Sequence, residues 1–572
     1  MKLRTKTYLT QLSLISCIML SACGGGGGGN QSGVSFTPST PTGTTGNTGS
    51  TGSSSTTETP SANLPVVDIS AISKQDPGST LNADWQNGVF MEIYVRGYKD
   101  SDGDGKGDLQ GLIQSLDYLK DLGISGIWLM PITKSEDRDH GYAVKDYRDI
   151  ETDYGKLSDL DELLKQAHAR GIGVILDYVM NHSANTNPLF VNSADTTTNL
   201  YRNWYVWKDT APSGWNIFGA NPWYSTKNGA YFAAFYSGMP DFNLNNQAVV
   251  DYHQNNLRFW LNRGVDGFRF DAVGNLIENS AGAWESQPES VALMGKVQQN
   301  VKQYDKRFMV CEAPGNPLLF AASSSCGSAF AFGHNYDLVN AVKGQSSAIQ
   351  NVANYFNNAP TTISTMISNH DSFAGDRLWD QVGGDLTLYR LAAASYLLQP
   401  GTPFIYYGEE IGMAGASSLS GDTKLRTPMS WTSNASNAGF SSGTPFRTLS
   451  TNASTQNVAS QISNPDSLLN FYKALIALRK QRPSFASGNY QNAQSGGNLV
   501  SFERQLGKER SLVVLNYNGN TSTTMVRNLP ANAKLTPIAI ANITPPAASN
   551  ADSNGIASIS LPAKGFAVFS VE

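Results

Sequence analysis

Three carboxylates each close a short apolar run: Asp271 in GVDGFRFDA, Glu312 in RFMVCEA and Asp371 in TMISNHD. Each run reads as a buried strand, with the charge where the strand stops. A charge in such a place is costly unless it is used. Three acids gathered at the strand ends of one sheet point to nucleophilic and acid/base chemistry on a sugar acetal. One carboxylate attacks the anomeric carbon to form a glycosyl-enzyme. A second carboxyl, about 5 Å away, protonates the leaving oxygen and then activates water. Arg269 lies two residues before Asp271 on the same predicted strand, so both side chains face one way. A guanidinium there keeps a carboxylate ionised. A structural ion pair is the other reading of that spacing, and the two can hold together.

A second cluster is Asp100-Ser-Asp102-Gly-Asp104-Gly-Lys106-Gly-Asp108. Hard carboxylate oxygens at every second position, with glycines for a tight turn, suit structural Ca²⁺. The expected ligands are Asp100, Asp102, Asp104, Asp108 and the Lys106 carbonyl. The pattern departs from an EF-hand loop at its twelfth position, where Gly111 stands in place of the bidentate Glu, and it follows a strand. A solvated acidic turn is the alternative.

Strands and helices alternate from about residue 83. Strands are predicted over 89–96, 124–131, 173–179, 265–270, 308–311, 363–367 and 404–407, with a weaker one near Phe330. Helices are predicted over 109–122, 157–170, 248–263, 386–398 and 468–479, the first three ending at Gly123, Gly171 and Gly264. Strands apolar on both faces predict a parallel sheet covered by helices. The count fits an α/β fold, a (β/α)8 TIM barrel over 83–485, whose chemistry sits at the C-terminal strand ends. A doubly wound open sheet competes, but no Gly-rich phosphate loop follows a strand. The Trp-rich stretch 183–239 reads as a small domain inserted after the third strand, and 486–572 as a C-terminal antiparallel β-sandwich.

Lys2, Arg4 and Lys6 precede an apolar stretch at 9–20, too short to span a membrane comfortably. Leu20-Ser-Ala-Cys23 has the form of a bacterial lipobox, so 1–22 reads as a signal peptide and Cys23 as the lipidated residue. An ordinary secretory signal is the alternative. The Gly/Ser/Thr-rich stretch 23–63 has little to bury and reads as a flexible tether, reaching about 35 Å. These features predict an enzyme lipid-anchored in the cell envelope, on the outer membrane of a Gram-negative bacterium. Cys311 and Cys326, 15 positions apart, read either as a disulfide or as two free thiols. A formal net charge of −5 without a long basic block excludes nothing but a nucleic-acid partner.

With these residues assembled, the chain resembles the α-amylase family of glycoside hydrolases. Asp177-Tyr-Val-Met-Asn-His182, Gly267-Phe-Arg-Phe-Asp-Ala272, Val310-Cys-Glu312 and Ser368-Asn-His-Asp371 match its four motifs in family order. His140-Gly-Tyr142, Tyr407-Gly-Glu-Glu-Ile-Gly412, Arg426-Thr-Pro-Met429 and Met239-Pro-Asp-Phe-Asn243 agree with further family segments. The last is intermediate between oligo-1,6-glucosidase and neopullulanase types. The resemblance implies Asp271 as nucleophile, Glu312 as acid/base and Asp371 as the group that binds sugar hydroxyls and helps distort the ring. It implies Tyr142 stacking under the sugar, His182 and His370 donating to it, and Asp177 orienting Arg269. Gly274-Asn275 depart from the Lys-His of starch-cutting members. Ala272 replaces the valine of many 1,6-specific relatives, which favours α-1,4 bonds. The implied activity is retaining cleavage of α-1,4 bonds in maltooligosaccharides, with exo-acting α-glucosidase or transglycosylase action as the alternative. A non-catalytic glucan-binding protein is a further class, opposed by the intact carboxylates.

Overall fold

The computed structural model describes residues 63–137 and 139–572. The signal segment, the Cys23 lipidation site and nearly all of the tether lie outside the described residues. Among the described residues no helix is long and apolar enough to cross a membrane.

Seven parallel strands form the central sheet: β1 (Phe90–Ile93), β2 (Gly126–Leu129), β3 (Gly173–Tyr178), β4 (Gly267–Phe270), β5 (Phe308–Cys311), β6 (Ser364–Thr365) and β7 (Thr402–Tyr406). Their order is β5-β4-β3-β2-β1-β7-β6. The circle closes through Ala329, bridged to Cys311 of β5, and Phe330, bridged to Ser364 of β6. The weak strand signal near Phe330 therefore marks the remaining stave of the barrel, reduced to a pair of bridges. Alternation along each stave puts Phe90, Trp128, Ile175, Phe308, Val310, Phe330 and Phe404 into one packed cluster. Phe268, Phe270, Met309 and Cys311 join the outer core with helix residues such as Trp260 and Leu293. Fully burying each such aromatic or aliphatic side chain stabilises by roughly 1.5–3 kcal/mol. Gly267 lets β4 and β5 approach: a Cβ there would lie 1.8 Å from the Phe308 carbonyl oxygen.

Several element boundaries differ from those expected. β1 stops at Ile93, and Val95–Tyr98 forms a helical turn instead of continuing the strand. That turn buries Arg96, which pairs with Asp153 at 2.8 Å. The helix expected over 109–122 is broken at Ser115, whose hydroxyl bonds back to the Gly111 carbonyl and competes with the helical ladder. The second piece ends at Gly123, in the left-handed conformation that glycine adopts without strain. The stretch 183–239 holds a helix, Pro188–Asp195, and a three-stranded antiparallel sheet. C-terminal to the barrel, a six-stranded sheet and a two-stranded sheet enclose their own apolar core around Leu512, Val514, Ile559 and Phe569. The observed architecture is the (β/α)8 barrel with a C-terminal β domain.

Cys311 and Cys326 form a disulfide, which resolves the two readings of these thiols. It ties the end of β5, one residue before Glu312, to the segment leading to the Phe330 bridge. Closing a loop of 15 residues stabilises by about 3 kcal/mol in the chain-entropy account. Cys326→Ser is expected to lower unfolding free energy by about that amount in urea denaturation. An unchanged midpoint would show that the cross-link contributes nothing.

Candidate active site

The aromatic floor of the barrel carries a charged layer. The next inward-facing positions hold Glu92 of β1, Asp177 of β3 and Arg269 of β4: Asp177 pairs with Arg269, and Arg269 with Val310 of β5, while Glu92 pairs with Trp128 of β2. Asp271 and Glu312 follow at the ends of β4 and β5. Arg269 is fully buried and lies over the Trp128 and Tyr142 rings. Its Nη1 donates to Asp271 Oδ1 at 2.7 Å and to Asp177 Oδ1 at 2.8 Å, and its Nη2 donates to Glu312 Oε2 at 2.6 Å. One guanidinium thus holds both acids at the mouth of the barrel. Ala272, just past Asp271, has a left-handed backbone at φ 47°, and its N–H donates to Glu312 Oε2 at 3.1 Å. Holding a non-glycine residue there costs on the order of 1–3 kcal/mol.

A single cation cannot neutralise Asp177, Asp271 and Glu312 together, so bound protons make up the balance. Burial pushes Glu312 up to about 8 against the pull of Arg269, and the neighbouring Asp271 and Asp371 push the same way. Burial likewise pushes Asp177 up to about 7, again against Arg269. Asp371 behaves oppositely. Burial alone would raise it, but His370 and Arg426 overcome burial and hold it below the usual carboxylate range. His370 Nδ1 meets Glu92 Oε1 at 2.5 Å, and its Nε2 meets Asp371 Oδ2 at 3.0 Å. These two acids overcome burial and lift His370 to about 10, so it is an imidazolium at neutral pH. Burial takes His182 the other way, to about 4, and its Nε2 has no partner among the described residues.

Tyr142, Asp177, Arg269 and His370 join this cluster, while His182 stands against Asn181 and Phe235, within the electrostatic reach of Asp271. The Tyr142 hydroxyl donates to Asp177 Oδ2 at 2.9 Å and meets His370 Nε2 at 2.7 Å, while its ring stacks with His140 and His370. A hydrogen-bonding part is thereby added to the stacking part expected of it. The structure also brings in residues for which no role at the site was expected from sequence. Arg426 Nη2 contacts Asp371 at 2.9 Å and Asp422 at 3.1 Å, and its Nη1 lies 3.9 Å from Asp139. Asp139 accepts from Arg447 at 2.7 Å and from the Tyr94 hydroxyl at 2.6 Å. Arg447 and Arg426 overcome burial and hold Asp139 down to about 2. This ionic chain joins the segment after β2 to the segment after β7, directly over the end of β1, and walls one side of the barrel mouth. Glu285, partly buried, leans over Gly315 and over Gly274, the latter one of the two positions that depart from the Lys-His of starch-cutting members.

The acidic loop lies apart from this cluster. Asp100, Asp102 and Asp108 each bring an oxygen within 4.8 Å of the others. Asp100 also accepts backbone N–H groups of Asp102, Gly103 and Gly105, which shapes the loop around it. These three hard oxygen donors fit Ca²⁺. Asp104 instead turns to Lys106 Nζ at 3.2 Å, and that ammonium also meets Asp153 at 2.9 Å.

The model of the α-amylase catalytic domain matches residues 92–488. The chain is 32% identical over 449 residues to alpha-amylase 3 of Dictyoglomus thermophilum, covering 76% of this chain and 86% of that one. It is 29% identical over 517 residues to the oligo-1,6-glucosidase of Parageobacillus thermoglucosidasius, covering 76% and 91%. In structure it is similar to the α-glucosyl transfer enzyme XgtA, with a TM-score of 0.74 at 25% identity, over 85% of this chain and 99% of that one. The four motifs, the barrel that brings their acids onto one arginine, and these matches agree: the chain belongs to the α-amylase family of glycoside hydrolases.

Proposed function

We propose that this enzyme is an exo-acting, retaining α-glucosidase that removes the terminal glucosyl unit of short α-glucans, or transfers it to another sugar. The observation that carries the exo reading is the ionic wall Asp371–Arg426–Asp139–Arg447. An endo-acting amylase needs a cleft through which a long chain passes, and a charged bridge between two mouth segments turns a cleft into a pocket. The names of the relatives, an oligo-1,6-glucosidase and an α-glucosyl transfer enzyme, support it too. The α-1,4 preference rests on Ala272.

In this reading the Asp271 carboxylate attacks the anomeric carbon while Glu312, held protonated by its burial, gives its proton to the leaving oxygen. The glycosyl–Asp271 ester forms as the glycosidic bond breaks. Glu312, now a carboxylate, takes a proton from water or from an acceptor hydroxyl. That oxygen displaces Asp271, and the α configuration returns. Asp371 accepts sugar hydroxyls and the neutral His182 Nε2 donates to them, while the His370 imidazolium, engaged by Glu92, Asp371 and Tyr142, holds Asp371 in place.

Product sizes test the reading. From maltoheptaose, glucose and maltohexaose as the sole products at the first time points are the expected result. A mixture of short maltooligosaccharides at those times would return the enzyme to the endo-amylase class. Arg447→Ala removes one arm of the wall and is expected to add maltotriose and maltotetraose to the early products.

The acidic loop enters the proposal as a structural Ca²⁺ site, with Asp100, Asp102 and Asp108 as its core and the Lys106 carbonyl completing it. Its chemistry is structural alone. EGTA is expected to lower the melting temperature by several degrees, an effect that Asp100→Asn abolishes. An identical melting temperature with and without chelator would remove the site from the account. The envelope location, anchored through Cys23, belongs to the proposal on the sequence pattern, and a disulfide beside Glu312 suits the oxidising compartment it implies.

A further inference from the structure

A groove of about 460 Å³ lies between the inserted sheet and the segment that follows the nucleophile strand, and none of its lining residues belongs to the carboxylate cluster. Its volume is within the roughly 300–1,000 Å³ of small-ligand sites. Trp215 and Trp223 meet in an edge-to-face contact on its wall, and Trp215 is half-buried. The Trp223 indole N–H is buried with no hydrogen-bond partner among the described residues. Amides from three separate segments complete the lining: Asn203, Asn243 and Asn279.

Charge and shape narrow the ligand. The Arg202 guanidinium is taken up by Trp207 and by the Ser193 and Asn228 carbonyls, Lys208 stands next to Asp209 in the lining, and burial beside Asp241 pushes the Glu278 carboxyl toward its neutral form, so no free charge selects an anion or a cation. Trp207 offers no open face, because Phe190 stacks on it and the Arg202 guanidinium lies 3.6 Å from its ring centre. What remains is an aromatic wall beside groups that both donate and accept, which matches a neutral polyol with apolar C–H faces. We propose that this groove is a second, non-catalytic binding site for a stretch of α-glucan two or three units long. It rests on the glucan reading given above and extends it: a chain held here stays beside the mouth while its end is trimmed.

The test is isothermal titration of maltohexaose into the full-length Asp271→Asn protein, which binds without turnover. The expected result is two sites per chain. Trp215→Ala in that background is expected to weaken one of them about tenfold, the loss of one aromatic contact with its burial. Trp223→Phe keeps one aromatic ring and removes the five-membered ring that carries the N–H, so it reports on the groove even if Trp215→Ala disturbs the inserted unit. It is expected to weaken the same site by a smaller factor. A single site, or two sites untouched by both substitutions, would overturn the proposal. Failure of the glucosidase reading looks different: the wild-type enzyme would release no glucose from any maltooligosaccharide, whatever the titration shows.

Discussion

Asp271→Asn is expected to lower kcat on maltose by on the order of 10⁴-fold or more, as removal of a covalent nucleophile does. No neighbouring group takes its place. Asp177 lies deeper, bonded to Trp128, Tyr142 and Arg269, and Asp371 is fixed by His370 and Arg426. The variant is expected to fold normally, because Arg269 keeps two of its three carboxyl partners. Circular dichroism and a melting curve check the fold, and initial rates check the chemistry. A loss smaller than about tenfold in a well-folded variant would mean that Asp271 is not the nucleophile.

Glu312→Gln is expected to cost about 10² to 10⁴-fold on maltose, the range for a positioned general acid. The loss in kcat/KM should shrink for a nitrophenyl glucoside, whose leaving oxygen departs without a proton. The pH profile gives a second signature. Glu312 is raised to about 8 by burial, so the acid form persists through neutral pH, and kcat/KM of the wild type falls as pH rises past that value. In Glu312→Gln that basic limb disappears. Stability follows the same proton. An unfolded glutamate has a pKa of about 4.3, so between there and the folded value the native state binds more protons than the unfolded one. Wild-type stability therefore declines with rising pH across that window, and the substitution flattens the decline. A basic limb unchanged in the variant would assign the general acid elsewhere.

The triad and Arg269 were legible because strand alternation projects them directly. Once 267–272 is a strand, residues 269 and 271 share a face, and the barrel fixes where that face points. The wall of the mouth was not legible. Asp139 lies hundreds of positions before Arg426 and Arg447, and no local pattern announces their meeting. Glu92 escaped notice inside an apolar run, although a buried glutamate in a strand is itself a signal. The Ala329–Phe330 stave gave a faint trace because two bridged residues are too few for periodicity. The helix Pro188–Asp195 carried a readable start, Asn187 as cap and Pro188 at the first turn, which the tryptophan-rich surroundings masked. In the acidic loop, alternation placed Asp104 among the ligands, but the nearby Lys106 ammonium draws its carboxylate away.

The central claim is that Asp271 and Glu312 work as a retaining pair on a terminal α-glucosyl unit. It is tested most directly by proton NMR of maltose hydrolysis, read within the first turnovers and before mutarotation. The account predicts that the glucose released from the non-reducing end appears first as the α-anomer and then drifts to the equilibrium mixture. Glucose that appears first as the β-anomer would mean a single displacement by water. That would contradict the pairing of the two carboxyls on Arg269 as the basis of the chemistry.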